Sequence, residues 1–339
     1  MAEHKRRKLA AIAFVVLAIA VAAVLTWTYS LGPGESTAFL TKIKKLAVFG
    51  SISGSVFALL ALGFTLIYGV ADVVNMSHGA FYMLGAYAFS VFLTYLGFHP
   101  LTNRSSFLLF AALILAAVFI GLVGVAVYRL LIHPIIEDTL SVLVVTIGVT
   151  LMLHQIMLLM FGDRNLPVRK LLEGTIKPFG VTLANHEVLS FVLSLSLIAI
   201  LWIFITRSKI GGAMRAAAQD REVAKLMGIN TERLYMLTMA ISASLAAIAG
   251  VLLSPPAASP VLRDWTYPLV MSFAIVIVGG LGSIKGSLVG AFIIGFAEKA
   301  VPIFFPGGSF LKGAIALIVM VVVLILRPKG LFGKRVEAE

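Results

Sequence analysis

Uninterrupted apolar stretches of about twenty residues recur along almost the whole of this 339-residue chain, and they restrict its fold more than any other feature. A helix needs about 20 residues to cross roughly 30 Å of hydrocarbon. In lipid, every backbone N–H and C=O must find its partner inside the protein. Candidate spans lie at about 9–29, 46–70, 77–97, 107–132, 140–161, 188–206, 234–254, 267–281, 286–303 and 311–327, each an uncharged or nearly uncharged run. The expectation is an all-α, polytopic integral membrane protein of about ten transmembrane helices, within a range of about eight to ten. Two places leave room for a re-entrant segment: the polar start of 77–97 and the short pair around GGLGSIKG. Such a count uses up the chain, so 1–339 reads as a single transmembrane domain.

Charge gives the orientation. Only 12% of residues are charged and the mean hydropathy is +1.05, so a net charge of +12 belongs first to cytoplasmic Lys and Arg rather than to a nucleic-acid surface. The tail 1–8 carries Lys5, Arg6, Arg7 and Lys8, and the loop 207–233 carries Arg207, Lys209, Arg215, Arg221, Lys225 and Arg233. With the C-terminal tail 328–339, these place both termini and the long loop in the cytoplasm. Lys42, Lys44, Lys45 and the basic loop 163–187 fall on the other side and count against this. The first segment follows HKRRK, an order shared by signal peptides and first anchors, and its length reads as an anchor. With no Cys, disulfides, thiolate metal sites and Cys nucleophiles are excluded.

Loop 207–233 lies between the sixth and seventh expected spans and is far longer than a connector requires. Ile210, Ala213, Met214 and Ala217 recur at helical spacing, which predicts a short helix with one apolar stripe. Asp220 is placed to cap a second helix over 221–227, Gly228 to end it in a left-handed conformation, and Val223 and Met227 share a face. Two short amphipathic helices can rest in the membrane interface or dock into a soluble partner, and periodicity does not choose between these.

The run E-V-A-K-L-M-G, with Glu222, Ala224 and Gly228, resembles the "EAA…G" element of ABC importer permeases, although Val223 stands where a second Ala is usual. Together with ALLALGFTLIYGVADVVNMSHGAFYMLGAY (58–87), IVGGLGSIKGSLVGAFIIGFAE (277–298) and RPKGLFG (327–333), it is similar to the branched-chain amino-acid permeases of ABC importers, and to their LivH-like subunit rather than the LivM-like sister. The resemblance covers most of 46–335. It implies an amino-acid substrate, a sister permease, two cytoplasmic ATP-binding subunits and an extracytoplasmic substrate-binding protein. It also implies that Arg215, Asp220, Glu222, Ala224, Met227 and Gly228 belong to coupling helices that receive ATPase motion. Similar permeases carry urea or short amides, so these substrates stay open.

Polar groups inside apolar runs are the remaining candidates for a solute path or gate. Asn75, Ser77 and His78 fall in GVADVVNMSHGAF, read either as a turn in which Asn75 or Ser77 caps the next helix or as a pore-lining segment. The resembled family has Asn-Phe-Ala-His-Gly there, so Met76 and Ser77 depart from it. As a metal ligand, His78 has no partner at a recognisable spacing. Glu298, in AFIIGFAEKAVPIFF, is either an acid at a helix end or one that faces protein or the path. Gly282, Gly286 and Gly290 repeat every four residues, a pattern for close helix packing. The outer segments 163–187 and 254–266 carry Arg164, Arg169, Lys170 and Arg263, and in a binding-protein-dependent importer they would form the docking surface.

Enzyme chemistry finds no support in the sequence. There is no H-E-x-x-H and no G-x-S-x-G, and GGLGSIKG lacks the phosphate-loop pattern, so ATP would bind on another chain and no cofactor is expected. A ribose-type sugar permease and an ATP-independent secondary transporter or channel are the competing readings. A self-sufficient transporter has no use for a helical ATPase dock.

Overall fold

The computed structural model describes residues 33–95, 106–162, 170–254, 264–305, 308–311 and 313–333. The expected first span, 9–29, lies outside these residues, as do Arg164, Arg169 and Arg263. Helices dominate: α1 (Pro33–Ala71), α2 (His78–Tyr95), α3 (Ser106–Val127, running on through a π turn and a 3-10 turn to Ile135), α4 (Thr139–Phe161), α5 (Asn185–Arg207), α6 (Lys209–Ala217), α7 (Arg221–Leu226), α8 (Thr231–Leu253), α9 (Thr266–Gly279), α10 (Ile284–Phe304) and α11 (Ala314–Leu326). The strand content described is one small antiparallel hairpin before α5, pairing Thr175 with Ala184 and Ile176 with Leu183.

Six helical stretches among the described residues are long and apolar enough to cross a membrane, in α1, α3 with its extension, α4, α5, α8 and α10. Helices α9 and α11 are apolar but shorter. The protein is therefore all-helical and polytopic, as expected.

Helices α1 and α8 form the centre. Their most apolar windows are 67% and 61% buried, against 22% in each of α4 and α5, which present most of their apolar surface outward. Helix α1 packs on α10, α8, α9 and α5, whereas α8 packs on α3, α2 and α1. Lipid chains are as apolar as Leu, so helices associate in lipid through close fit rather than through exclusion of water. The sequence provides that fit with glycine. A Cβ at Gly295 of α10 would lie 2.6 Å from the Gly54 Cα of α1, one at Gly85 of α2 would lie 2.3 Å from the Ala247 Cα of α8, and one at Gly250 of α8 would meet the Tyr82 carbonyl at 2.1 Å.

The four-residue glycine spacing does not form one helix face. Gly282 sits in the α9–α10 turn at φ +75°, whereas Gly286 and Gly290 lie against the end of α9. This turn receives the RPKGLFG segment from the far end of the sequence. The Leu331 and Phe332 amides donate to the Val278 and Gly279 carbonyls, both at 2.9 Å, and Gly330 approaches Gly280 too closely for a side chain. Two runs remote in sequence thus build one structure at the end of the bundle where α9 turns into α10.

Replacing Gly295 by Leu should force α1 and α10 apart, at about 1–3 kcal/mol or more for overpacking, and lower the melting temperature of the detergent-solubilised protein. Gly148, which has open space at its Cβ position, should accept Ala without loss. Equal melting of both variants would show that the α1–α10 seam tolerates separation.

Candidate functional site

Helix α6 begins at Ser208, whose hydroxyl accepts from the Gly211 amide at 2.8 Å. It turns Gly211, Met214 and Ala217 inward. Ile210 is 44% exposed, because Gly211 takes the inner position. No side chain fits at Gly211, where a Cβ would lie 2.4 Å from the Phe204 and Ile205 carbonyls. Arg215 donates through Nη1 to the Ile205 carbonyl and so ties α6 to the end of α5. Asp220 caps α7 by accepting from the Val223 amide at 2.9 Å. At the other end, the Ile229 amide reaches the Ala224 carbonyl at 3.1 Å and the Gly228 amide reaches that of Lys225 at 2.9 Å, with Gly228 at φ +83°. These two bonds make a Schellman stop.

Helix α7 therefore has a rooted side and an offered side. Ala224 is buried, whereas Val223, Leu226 and Met227 are 52%, 86% and 78% exposed. Glu222 and Lys225 pair at 2.9 Å beside them, both exposed. A cavity of about 200 Å³ separates α6 from the inner end of α1 and the α9–α10 turn, lined by Thr65, Gly69, Met214, Arg215, Gln219 and Gly282 among others. Above it, the Thr65 and Ser287 hydroxyls share a hydrogen bond at 2.6 Å between α1 and α10.

Residues 72–77 join α1 to α2 without helical structure. Asp72 is exposed at the end of α1 and holds φ +54°. From there the chain returns along α1, because His78 Nε2 lies 2.9 Å from the Leu60 carbonyl, about 16 Å back at 1.5 Å per residue. Asn75, Ser77 and His78 are each fully buried. Asn75 Oδ1 accepts from the Ser77 amide at 3.0 Å and from its hydroxyl at 2.5 Å, and Asn75 Nδ2 meets Met239 Sδ at 3.6 Å. The Ser242 hydroxyl lies 3.5 Å from His78 Nδ1. Helix α4 closes the segment from outside: Met76 N–H donates to Thr146 Oγ1 at 3.2 Å, and Thr150 Oγ1 donates to the Met76 carbonyl at 3.1 Å. The turn is real, and it is sunk into the helices rather than set on their surface.

Helix α9 starts at the same place. A Cβ on Gly79 would meet the Trp265 carbonyl at 2.3 Å, so α2 and α9 have neighbouring N-termini. Glu298 is 3% exposed and accepts the Tyr267 hydroxyl of α9. It lies about 9 Å before the end of α10 at 1.5 Å per residue, so it is a protein-facing acid. The structure does not bring the candidate residues together. The α6–α7 group lies by the Ala71 end of α1, Asn75, Ser77 and His78 in the middle, and Glu298 in the opposite half.

Residues 46–327 match the family model described as the branched-chain amino acid transport system / permease component. The chain belongs to this permease family. It is 30% identical over 294 residues to the high-affinity branched-chain amino acid transport system permease protein LivH of Salmonella typhimurium, covering 84% of this chain and 94% of that one. Identity is also 30% to BraD of Pseudomonas aeruginosa, over 85% and 94% of the two chains. A ribose import permease of Haemophilus influenzae, RbsC, matches at 29% over only 37% of this chain. No solved structure matches. Within the permease family, this chain's sunken turn depends on Thr146, Thr150, Ser242 and Met239, none of which the sequence reading had singled out. The four-residue spacing of the two Thr on α4 is the signal that was available.

Replacing Thr150 by Val removes the donor to the Met76 carbonyl in a dry setting, at a cost of about 1–3 kcal/mol for an unsatisfied buried group. Amide exchange across 73–77 should accelerate while that of α8 stays slow. Unchanged exchange in this segment would show that α4 does not hold the turn.

Proposed function

We propose that this chain is the LivH-like permease subunit of a binding-protein-dependent ABC importer that moves branched-chain or related amino acids across the inner membrane. In this reading it pairs with a LivM-like sister permease, takes solute from an extracytoplasmic binding protein and is driven by two cytoplasmic ATP-binding subunits. Near-complete coverage of curated branched-chain amino-acid permeases favours an amino acid over a sugar. Both termini and loop 207–233 are cytoplasmic, with about ten spans in the whole chain.

The observation that carries the coupling role is the offered side of α7. Leu226 and Met227 stand almost fully exposed on a helix whose start, end and inner side are all fixed. A rigid short helix with an apolar knob and a charged rim fits a groove in a soluble partner, and its rooting through Ala224, Arg215 and Met214 carries a push into α5 and α8. Asp220 and Gly228 set the geometry, Glu222 and Met227 meet the ATPase, and Asn75, Ser77, His78 and Glu298 belong to the path or its gate.

A β-branched residue at Gly228 is strained at φ +83°, by about 1–2 kcal/mol on the usual scale for a left-handed residue, and the strain falls on a surface loop. Gly228→Val and Glu222→Lys should both insert normally, retain the sister permease, and lose substrate-stimulated ATP hydrolysis together with uptake. Coupled transport at the wild-type rate in both variants, at equal expression, would reduce 211–230 to a surface connector.

A further inference from the structure

We propose that Glu298 is the counter-charge for the primary ammonium group of the transported solute, with Tyr267 as its positioning residue. This rests on the reading of the chain as an amino-acid permease and adds the group that recognises the amine. Half of the Glu298 carboxylate is accounted for by the Tyr267 hydroxyl on Oε1. The other half is not: Oε2 is buried and has no hydrogen-bond partner. Among the described residues no Lys or Arg pairs with Glu298, and Lys299, next in sequence, projects about 100° away round the helix. An uncompensated carboxylate is among the costliest things to bury in a protein. A structural tie to Tyr267 needs only one acceptor oxygen, which Gln would supply without a charge.

The surroundings suit a cation. Asp264 accepts from the Thr266 and Tyr267 amides, both at 3.0 Å, which fixes the start of α9 and the Tyr267 backbone. The Tyr267 ring stands 6.5 Å from that of Phe57. A buried carboxylate with one oxygen tied to an aromatic hydroxyl and the other free is a setting that takes an ammonium ion by a charge-assisted hydrogen bond. Tyr267 lies near the start of α9, beside the start of α2.

The test uses the whole importer reconstituted in vesicles, with L-leucine as the probe. Glu298→Gln should assemble with its partners and lose about tenfold or more of leucine uptake, the scale of one charged hydrogen bond, whereas Glu298→Asp recovers part of it and Lys299→Ala keeps wild-type uptake. Uptake at the wild-type rate by an assembled Glu298→Gln complex overturns the proposal. Should that variant fail to assemble, labelling of wild-type Glu298 by dicyclohexylcarbodiimide, read by mass spectrometry, decides. L-leucine and 3-methylbutylamine should slow the labelling and 4-methylpentanoate should not. Equal protection by 4-methylpentanoate, or none by leucine in vesicles that accumulate leucine, defeats the ammonium assignment. Failure of the wild-type importer to accumulate leucine at all counts instead against the broader reading.

Discussion

Backbone hydrogen bonds that leave a helix inside an apolar bundle must be taken up by other protein groups, and the organisation of this molecule follows from how it meets that requirement. Residues 72–77 give up helical bonding along a return of about 16 Å beside α1. Their polar groups are collected by Asn75 from within and by Thr146 and Thr150 from α4. His78 then bonds a further buried acceptor, the Leu60 carbonyl of α1. Helix α4 is mostly outward-facing, yet the Thr146 and Thr150 hydroxyls are buried, so it contributes to the centre through hydrogen bonds more than through area.

A sunken turn also needs space between the helices around it, and glycine governs that space. Gly63 of α1 lies against the His78 ring and the Ser242 carbonyl, where a Cβ would be at 3.0 and 2.9 Å. Gly79 allows α9 to start beside α2. The same residue type that closes the α1–α10 seam thus admits a non-helical segment between α1 and α8. Apolar bulk could not do both, because a Leu or Val at these positions would separate the helices that supply the acceptors.

Much of this was legible in the sequence, for a clear physical reason. Apolar run length reports helices directly, since lipid allows the backbone few alternatives. Local capping chemistry was equally readable: Asp220 and Gly228 do in the structure what their types and spacing required. The sunken turn was not readable, because a run such as DVVNMSH looks the same whether its partners are water or Thr side chains seventy residues away. Glu298 was undecidable for the same reason, since its hydrogen-bonding neighbour comes from α9, thirty-one residues earlier. Gly282 misled in the other direction: it fits a helical stripe in spacing, yet belongs to a turn that a distant tail segment completes.

At the Ala71 end of α1, the α6–α7 loop and the buried turn share a helix without touching each other. Helix α6 is held to α5 through Arg215 and the tight seat of Gly211, while on its other flank lies a cavity rather than packed side chains. Packed interiors resist displacement and empty volume does not. The hold of α6 on α5 is therefore stiff, and the flank toward α1 and the α9–α10 turn has room to move. The Thr65–Ser287 bond at the roof of the cavity joins α1 to α10 at the level where that softness ends. Above it, the α1 carbonyl at Leu60 holds His78. The helix that receives the turn's histidine is thus the same helix whose inner end borders the cavity, which gives the inner loop and the buried turn one shared structural element, α1.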